Sequence, residues 1–242
     1  MRIEVAESAD ALSHAVAEQF VRLTTDAARA RGRCAVALSG GSSPRGVYRL
    51  LGAPAFRTRV RWSDIHFFWG DERHVPPDHP DSNYRMAVEA MLSNVPVPPA
   101  NVHRIRTELP DPERAANEYE QKVRECVDGE PIPRFDLIHL GIGTDGHIAS
   151  LFPGSAALEE RQRLCVANWV EKLQAYRITL TLPVLNAARA LVFIVTGAEK
   201  APIVQRVLSE PAGPAPLPAK LIRPADGELW WMLDRDAAGE QT

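Results

Sequence analysis

The segment Phe135-Asp136-Leu137-Ile138-His139-Leu140 runs directly into Gly141-Ile142-Gly143-Thr144-Asp145-Gly146-His147. A mainly apolar run that ends in glycines predicts a buried strand leaving its sheet through a tight loop. The three glycines of this loop let the backbone approach a ligand and expose its N–H groups. Asp145 and His147 place a carboxylate and an imidazole beside that surface. The loop is therefore the first candidate for a ligand-binding or catalytic site.

Comparable apolar runs alternate with helical patterns along the rest of the chain, which is typical of parallel strands joined by crossover helices. We predict one α/β domain over residues 1–242, Rossmann-like, with a mainly parallel sheet flanked by helices on both faces. Strands are expected at residues 2–5, 34–38, 65–69, 135–140, 177–182, 190–195 and 229–233. Helices are expected at residues 11–30, 46–51, 83–92, 113–126, 184–188 and 201–208. The proline-rich pieces 95–99 and 211–218 are expected to be surface connections inside this domain.

Composition argues against several classes of protein. The chain has 242 residues, of which 45% are hydrophobic and 24% charged, enough to bury a substantial core. A net charge of −3 provides no basic field for nucleic acid or an anionic membrane. No run approaches the roughly 18 apolar residues of a membrane span, and acids stand where a signal peptide would be apolar. We therefore expect a cytoplasmic protein.

Neither a disulfide framework nor a metal site is indicated. The cysteines are Cys34, Cys126 and Cys165. Their odd number and the absence of CxxC spacing predict free thiols. One proline-rich loop contains His74, Asp78, His79 and Asp81. Their spacing matches no recognised metal site, so no metal is expected.

A second loop, Ser39-Gly40-Gly41-Ser42-Ser43-Pro44-Arg45, leaves the predicted strand 34–38 and enters a helix. Ligands of open parallel sheets bind outside the carboxyl ends of the strands, and a helix N-terminus favours an anion. The loop therefore predicts a phosphate site, with a simple glycine turn capped by Ser43 as the alternative. The lysine of a Walker A loop is missing. The candidate phosphate-binding residues here are Gly40, Gly41, Ser42, Ser43 and Arg45.

Charged residues also follow two other predicted strands. Asp71 and Arg73 come just after strand 65–69, where the carboxylate suits a substrate hydroxyl or water and the guanidinium suits phosphate. The alternative is a solvated turn in which these two side chains pair locally. Lys200 follows strand 190–195 and brings a cation to the same sheet edge, unless it is simply a surface lysine.

The glycines at positions 141, 143 and 146 also match the GxGxxG dinucleotide fingerprint. Pro153-Gly154 would end the following helix early, and no strand ending in Asp or Glu appears about 20 residues further on. NAD binding is therefore disfavoured. His139 lies within the strand pattern and is expected to be a hydrogen-bonded structural histidine.

Taken together, these segments resemble the 6-phosphogluconolactonase family. The matching segments, in the family's order, are residues 39–44, 71–75, 82–86, 141–154 and 177–179, with Gly197 and Lys200. They span nearly the full chain, and the part from Gly143 to Gly154 is the most specific. The chain departs from the family after Lys172, where Leu173-Gln174 stands in place of the prolines that members often have. This departure affects the expected conformation of that loop.

The resemblance implies hydrolysis of 6-phospho-D-glucono-1,5-lactone to 6-phospho-D-gluconate in the pentose phosphate pathway, with neither metal nor organic cofactor. The implied fold is the Rossmann-like one shared with glucosamine-6-phosphate deaminase. His147 would remove a proton from the attacking water and later protonate the ring oxygen. Asp145 would orient the imidazole or polarise a sugar hydroxyl, and Asp71 would hold ring hydroxyls.

The sequence does not determine which groups contact the oxyanion and the phosphate. Backbone N–H groups around Gly143 or Gly41 are candidates for stabilising the oxyanion. The side chains expected to bind substrate or phosphate are Ser42, Ser43, Arg45, Arg73, Arg177 and Lys200. The expected partner is a small sugar phosphate lactone, with no nucleic acid or membrane, and the expected assembly is a monomer or small homo-oligomer.

Two other functions are compatible with the same residues. A sugar-phosphate deaminase/isomerase has the same Gly-x-Asp-Gly-His turn, but the resemblance places its catalytic glutamate where this chain has Phe152. A non-catalytic sugar-phosphate-binding protein would keep the phosphate loop and lose the base. The presence of both Asp145 and His147 argues against that second possibility.

Overall fold

The computed structural model describes residues 1–209 and 217–240. The strands are β1 (Arg2–Ala6), β2 (Cys34–Leu38), β3 (Ile65–Trp69), β4 (Asp71–Arg73), β5 (Leu137–Leu140), β6 (Cys165–Val170), β7 (Ala175–Leu180), β8 (Ala190–Val195) and β9 (Glu228–Asp234). The α-helices are α1 (Ala9–Arg31), α2 (Ser42–Gly52), α3 (Pro54–Arg57), α4 (Asn83–Ala90), α5 (Pro112–Cys126), α6 (Leu182–Ala187), α7 (Ala201–Ser209) and α8 (Arg235–Ala238). Most of the predicted connection 211–218 lies outside the described residues.

Six strands form a parallel sheet in the order β1-β9-β8-β5-β2-β3. Its central strands β2 and β8 are buried along their whole length, which is typical of parallel strands covered on both faces. In the core, the rings of Phe193 and Trp231 stack 3.9 Å apart from paired positions of β8 and β9. The predicted α/β class with a mainly parallel sheet is confirmed.

Helix α1 shows how local sequence determines an element. The side chain of Ser8 accepts a hydrogen bond from the Ala11 N–H at the N-terminus, and Gly32 ends the helix in the left-handed conformation. Between these ends, Leu12, Val16 and Phe20 recur at helical spacing and are fully buried against the sheet. The observed ends lie within two residues of the predicted range 11–30.

A second, smaller sheet was not predicted. We expected residues 177–182 to form one of the parallel strands. This region instead belongs to β7 (Ala175–Leu180), which pairs antiparallel with both β4 and β6. Asp71 to Arg73, expected in a loop, form β4, and β6 was missed. β4 is three charged residues long, so its pairing with β7, about a hundred positions away, depends on tertiary contacts and not on strand propensity.

The two sheets meet at Gly70, between β3 and β4. Its N–H donates to the Leu38 carbonyl at the end of β2, and its own carbonyl accepts from the Leu180 N–H at the end of β7, both at 2.9 Å. The small sheet therefore lies beyond the carboxyl edge of the large one. The β6–β7 hairpin places its tip, residues 171–174, above the loops that leave the parallel strands.

Other predictions about buried groups had mixed outcomes. The three cysteines are free thiols, as expected. His139 is buried and stacks on Tyr48, but its Nδ1 has no hydrogen-bond partner among the described residues, so the expected hydrogen bond is missing there. Burial lowers the pKa of His139 to about 3, which keeps the ring neutral.

Among the helices described, none combines the length and apolarity needed to cross a membrane.

Candidate active site

A cavity opens where the carboxyl ends of the parallel strands face the small sheet. The predicted site residues that line it are Gly40, Gly41, Ser42, Ser43, Asp71, Arg73, Gly143, His147, Arg177 and Lys200. Asp145 contacts His147 from outside this lining, and Arg45 lies on the exposed side of α2. The structure thus brings five separate chain segments to one place, at the carboxyl edge of the parallel sheet.

His147 and Asp145 form a hydrogen-bonded pair in the loop after β5. His147 Nδ1–H donates to Asp145 Oδ1 over 2.6 Å, and the same oxygen accepts from the His147 backbone N–H. Since Nδ1 keeps its proton and donates it in the hydrogen bond to the carboxylate, the neutral imidazole has its lone pair on Nε2. This arrangement leaves one ring nitrogen able to accept a proton at the cavity.

Gly143 is required by the approach of this imidazole. A Cβ at position 143 would lie 2.0 Å from His147 Nδ1, so any larger residue would displace the ring. The Gly143 N–H donates to the His147 carbonyl at 2.9 Å. The prediction of an oxyanion donor at Gly143 is therefore wrong for this N–H, because it is used inside the loop.

Lys172, at the tip of the β6–β7 hairpin, completes the surroundings of the pair. Its ammonium forms an ion pair with Asp145 Oδ2 and lies 4.7 Å above the ring of Phe152. Phe152 in turn stacks on His147, with ring centroids 4.2 Å apart. Partial burial acts to raise the pKa of Asp145, but the hydrogen bonds from Lys172 and His147 outweigh it and hold the pKa well below its usual range.

Lys172 and Asp145 are 27 positions apart in the chain, so the sequence did not predict their contact. The sequence singled out Lys172 only as the start of an atypical loop. The turn after it differs from a proline turn. Gln174 adopts the left-handed conformation with φ of 47° and ends the short turn at residues 171–173. The hairpin still delivers both Lys172 and Leu173 to the cavity.

Asp71 is buried on the wall of the cavity and is fixed by two polar side chains. Ser150 Oγ donates to its Oδ2 at 2.6 Å, and Asn83 Nδ2 donates to its Oδ1 at 3.2 Å. Gly40 makes room for this arrangement, because a Cβ there would lie 1.9 Å from Asn83 Oδ1. Asn83 and Ser150 were not selected from the sequence as site residues, since their role depends on contacts across the fold.

The neighbouring carboxylate, Glu72, has a structural task. It is 1% exposed and accepts hydrogen bonds from the backbone N–H groups of Arg73, Asn83 and Tyr84 and from the Ser82 hydroxyl. Burial raises the pKa of Glu72, and the backbone hydrogen bonds oppose that rise. Glu72 thus joins β4 to the N-terminus of α4, which holds Asp71 and Asn83 in contact.

Two arginines lie next to each other on adjacent strands of the small sheet. Arg73 and Arg177 are directly opposite in the β4–β7 register, an arrangement that is destabilising for like charges. Arg73 donates to the carbonyl of Asp81, whereas Nε of Arg177 has no hydrogen-bond partner among the described residues. Burial, followed by the charge of Arg73, lowers the pKa of Arg177. Such a pair at a cavity is suited to an anion.

The N-terminus of α2 forms another positive wall. Gly41 begins the helix with φ of 102°, and no described side chain caps it, so the alternative of a Ser43-capped turn is not what the structure shows. Ser43 Oγ lies 2.6 Å from Thr196 Oγ1 in the loop after β8. In that loop, the Gly197 N–H donates to buried Asp234, and the turn delivers Lys200 to the cavity.

Comparisons with known proteins identify relatives of this chain. The sequence profile of the family described as glucosamine-6-phosphate isomerases/6-phosphogluconolactonase matches residues 7–231. A 6-phosphogluconolactonase from Synechocystis sp. is 44% identical over 215 residues, covering 88% of this chain and 87% of that protein. The solved structure of 6-phosphogluconolactonase from Trypanosoma brucei superposes with a TM-score of 0.87 at 30% identity, covering 100% of this chain and 98% of that one.

The fold extends to a more distant protein. A monomeric glucosamine-6-phosphate deaminase superposes with a TM-score of 0.83 at 20% identity and covers the full length of both chains. At this identity the likeness concerns the fold alone. It confirms the predicted similarity to the deaminase fold.

Proposed function

The chain belongs to the family of glucosamine-6-phosphate isomerases and 6-phosphogluconolactonases, and we propose that it is a lactonase of that family. It hydrolyses 6-phospho-D-glucono-1,5-lactone to 6-phospho-D-gluconate in the pentose phosphate pathway. The observation that carries the proposed mechanism is the imidazole of His147, held by Asp145 and stacked on Phe152, at a cavity lined by cationic groups.

In the first step, Nε2 of His147 takes a proton from water while the water oxygen bonds to the lactone carbonyl carbon. The carbonyl π electrons move to oxygen and form a tetrahedral oxyanion. In the second step, this intermediate collapses and the bond between the carbonyl carbon and the ring oxygen breaks. The imidazolium gives its proton to that ring oxygen, and the product is a hydroxy acid that ionises.

Asp145 supports both steps because it is ionised. Its carboxylate keeps the proton on Nδ1 while Nε2 acts as the base. The same negative charge stabilises the imidazolium that forms between the two steps. Lys172 holds the second oxygen of this carboxylate, which limits the rotation of Asp145. Phe152 supports the ring from one face and provides no proton.

The substrate needs two anion-binding regions, one for phosphate and one for the oxyanion. We assign the phosphate to the N-terminus of α2 with Ser42, Ser43 and Lys200, because exposed N–H groups and an ammonium match a phosphate dianion. The arginine pair of the small sheet is left for the oxyanion. Asp71, an acceptor fixed on the wall, is placed to hold sugar hydroxyls.

The substrate assignment is tested against the deaminase reaction. Moving a proton between the carbons of an amino sugar needs several acid–base groups, and Phe152 supplies none where a deaminase has glutamate. We expect rapid acid release from fresh 6-phosphogluconolactone at neutral pH and no detectable ammonia from glucosamine 6-phosphate. Both are measured on one preparation, with spontaneous lactone hydrolysis subtracted. Ammonia production at a comparable kcat/KM would make the protein a deaminase.

The role of His147 is tested by His147→Ala. We expect kcat to fall at least about 100-fold, the low end of what a positioned general base contributes. Circular dichroism should show an unchanged fold. His14→Ala, on the exposed side of α1, is the matched control and should keep wild-type kcat. A folded His147→Ala variant with near-normal kcat would exclude this residue from the mechanism.

Lys172 is expected to act as a positioning residue through Asp145. Lys172→Met should lower kcat on both 6-phosphogluconolactone and unphosphorylated gluconolactone by a similar factor and change the pH profile of kcat/KM. Lys172→Arg should restore most of the loss, since it keeps the cation. A defect confined to the phosphorylated lactone would show instead that Lys172 binds the phosphate.

Phosphate binding is tested by comparing two cations of different placement. Lys200→Ala should raise KM for the phosphorylated lactone about 10- to 100-fold, because a hydrogen bond to a charged group contributes about 1.5–3 kcal/mol. KM for gluconolactone should change little. Arg45→Ala is the matched control, because Arg45 lies outside the cavity lining despite its place in the phosphate loop. Equal effects of the two changes would contradict the assignment.

A further inference from the structure

We propose that two copies of this chain form a symmetric dimer through the free edge of β1. This strand ends the six-stranded sheet and pairs on one side with β9. On its other side, its backbone makes no hydrogen bond with any part of the chain that the structure describes. An edge strand with unpaired N–H and C=O groups is a template for a further strand.

The side chains at this edge alternate in a way that suits such pairing. Met1, Ile3 and Val5 project to one face and are 73%, 48% and 42% exposed. Ile3 is in register with Trp231 of β9, so this apolar row continues the apolar face of the sheet out into solvent. Ile3 and Val5 on the strand, with Met1 just before it, form an exposed apolar surface that burial would stabilise.

The other face of β1 has one charge of each sign. Arg2 lies 4.7 Å over the ring of Trp230 and has no carboxylate partner among the described residues. The side chain of Glu4 has no ion pair or hydrogen bond within those same residues. Both charges are therefore available to a second chain.

These charges select one register. A two-fold axis perpendicular to the sheet pairs the strands antiparallel, and its position determines which residues face each other. An axis at Ile3 puts Arg2 of each copy opposite Glu4 of the other, with Ile3 opposite Ile3 and Met1 opposite Val5. An axis at Glu4 would put like charges opposite each other, which is destabilising. The geometry points to the axis at Ile3, where charged and apolar pairs are all complementary.

The arrangement is isologous, since each copy contributes the same surface. It extends each parallel sheet across the axis by one antiparallel junction. It also covers the apolar row of each copy and pairs the open β1 edge of each copy. The active-site cavity lies at the carboxyl ends of other strands, so the dimer leaves it accessible and its test does not depend on the proposed reaction.

Charge reversal provides the experiment, with molar mass measured by sedimentation equilibrium over a concentration series of the tag-free protein. The wild type should be dimeric. Arg2→Glu alone and Glu4→Arg alone should each be monomeric, because each creates two like-charge pairs. The double variant Arg2→Glu/Glu4→Arg restores both pairs and should dimerise again. An equimolar mixture of the two single variants should form a heterodimer, since their edges are complementary.

Arg22→Glu, on the exposed side of α1, is the control for net charge and should remain dimeric. Circular dichroism checks that every variant is folded. A wild type that stays monomeric up to millimolar concentration would overturn the proposal. A dimer whose mass neither single reversal changes would overturn it as well, because such a dimer would use another surface.

Discussion

The backbone of Gly70 joins the two sheets on which the active site depends. One hydrogen bond to Leu38 and one from Leu180 hold the short strand β4 at the end of the parallel sheet. Through β4, the small sheet and its hairpin are placed over the loops that follow β2, β5 and β8. The cavity exists because these two sheets meet there. The side chains that line the cavity are therefore positioned by this junction.

Around the junction, the structure keeps charged groups in arrangements that do not favour stability on their own. Arg73 and Arg177 face each other although their charges repel, and Asp71 and Glu72 are buried side by side. The buried carboxylates are retained by several hydrogen bonds each, from Ser150 and Asn83 to Asp71 and from backbone N–H groups to Glu72. A bound anion would offset the repulsion between the arginines. If the substrate binds there as proposed, its binding would therefore also stabilise the fold at these residues.

The loop after β5, which we propose to be catalytic, is equally closely packed. Gly143 leaves room for the imidazole of His147, and its N–H holds the loop closed, so one residue serves geometry and turn formation together. Phe152 supports the ring from one face, and Lys172 reaches Asp145 from the hairpin of the small sheet. Under the proposed mechanism, a change at one of these positions would alter the proton chemistry while the fold is kept.

The sequence by itself determined the six strands of the parallel sheet, because short apolar runs and capped amphipathic helices such as α1 have strong local patterns. It also indicated the two candidate site loops, since each combines glycines with polar side chains over a few residues: serines in residues 39–45, and Asp145 and His147 in residues 141–147. Only the tertiary structure decided that β4 is a strand, that Ser150 and Asn83 hold Asp71, and that Lys172 binds Asp145. These contacts join residues far apart in sequence, and no periodicity or spacing reports them. It also decided against Gly143 as an oxyanion donor and placed Arg45 outside the cavity, because hydrogen bonding and side-chain direction depend on the folded backbone.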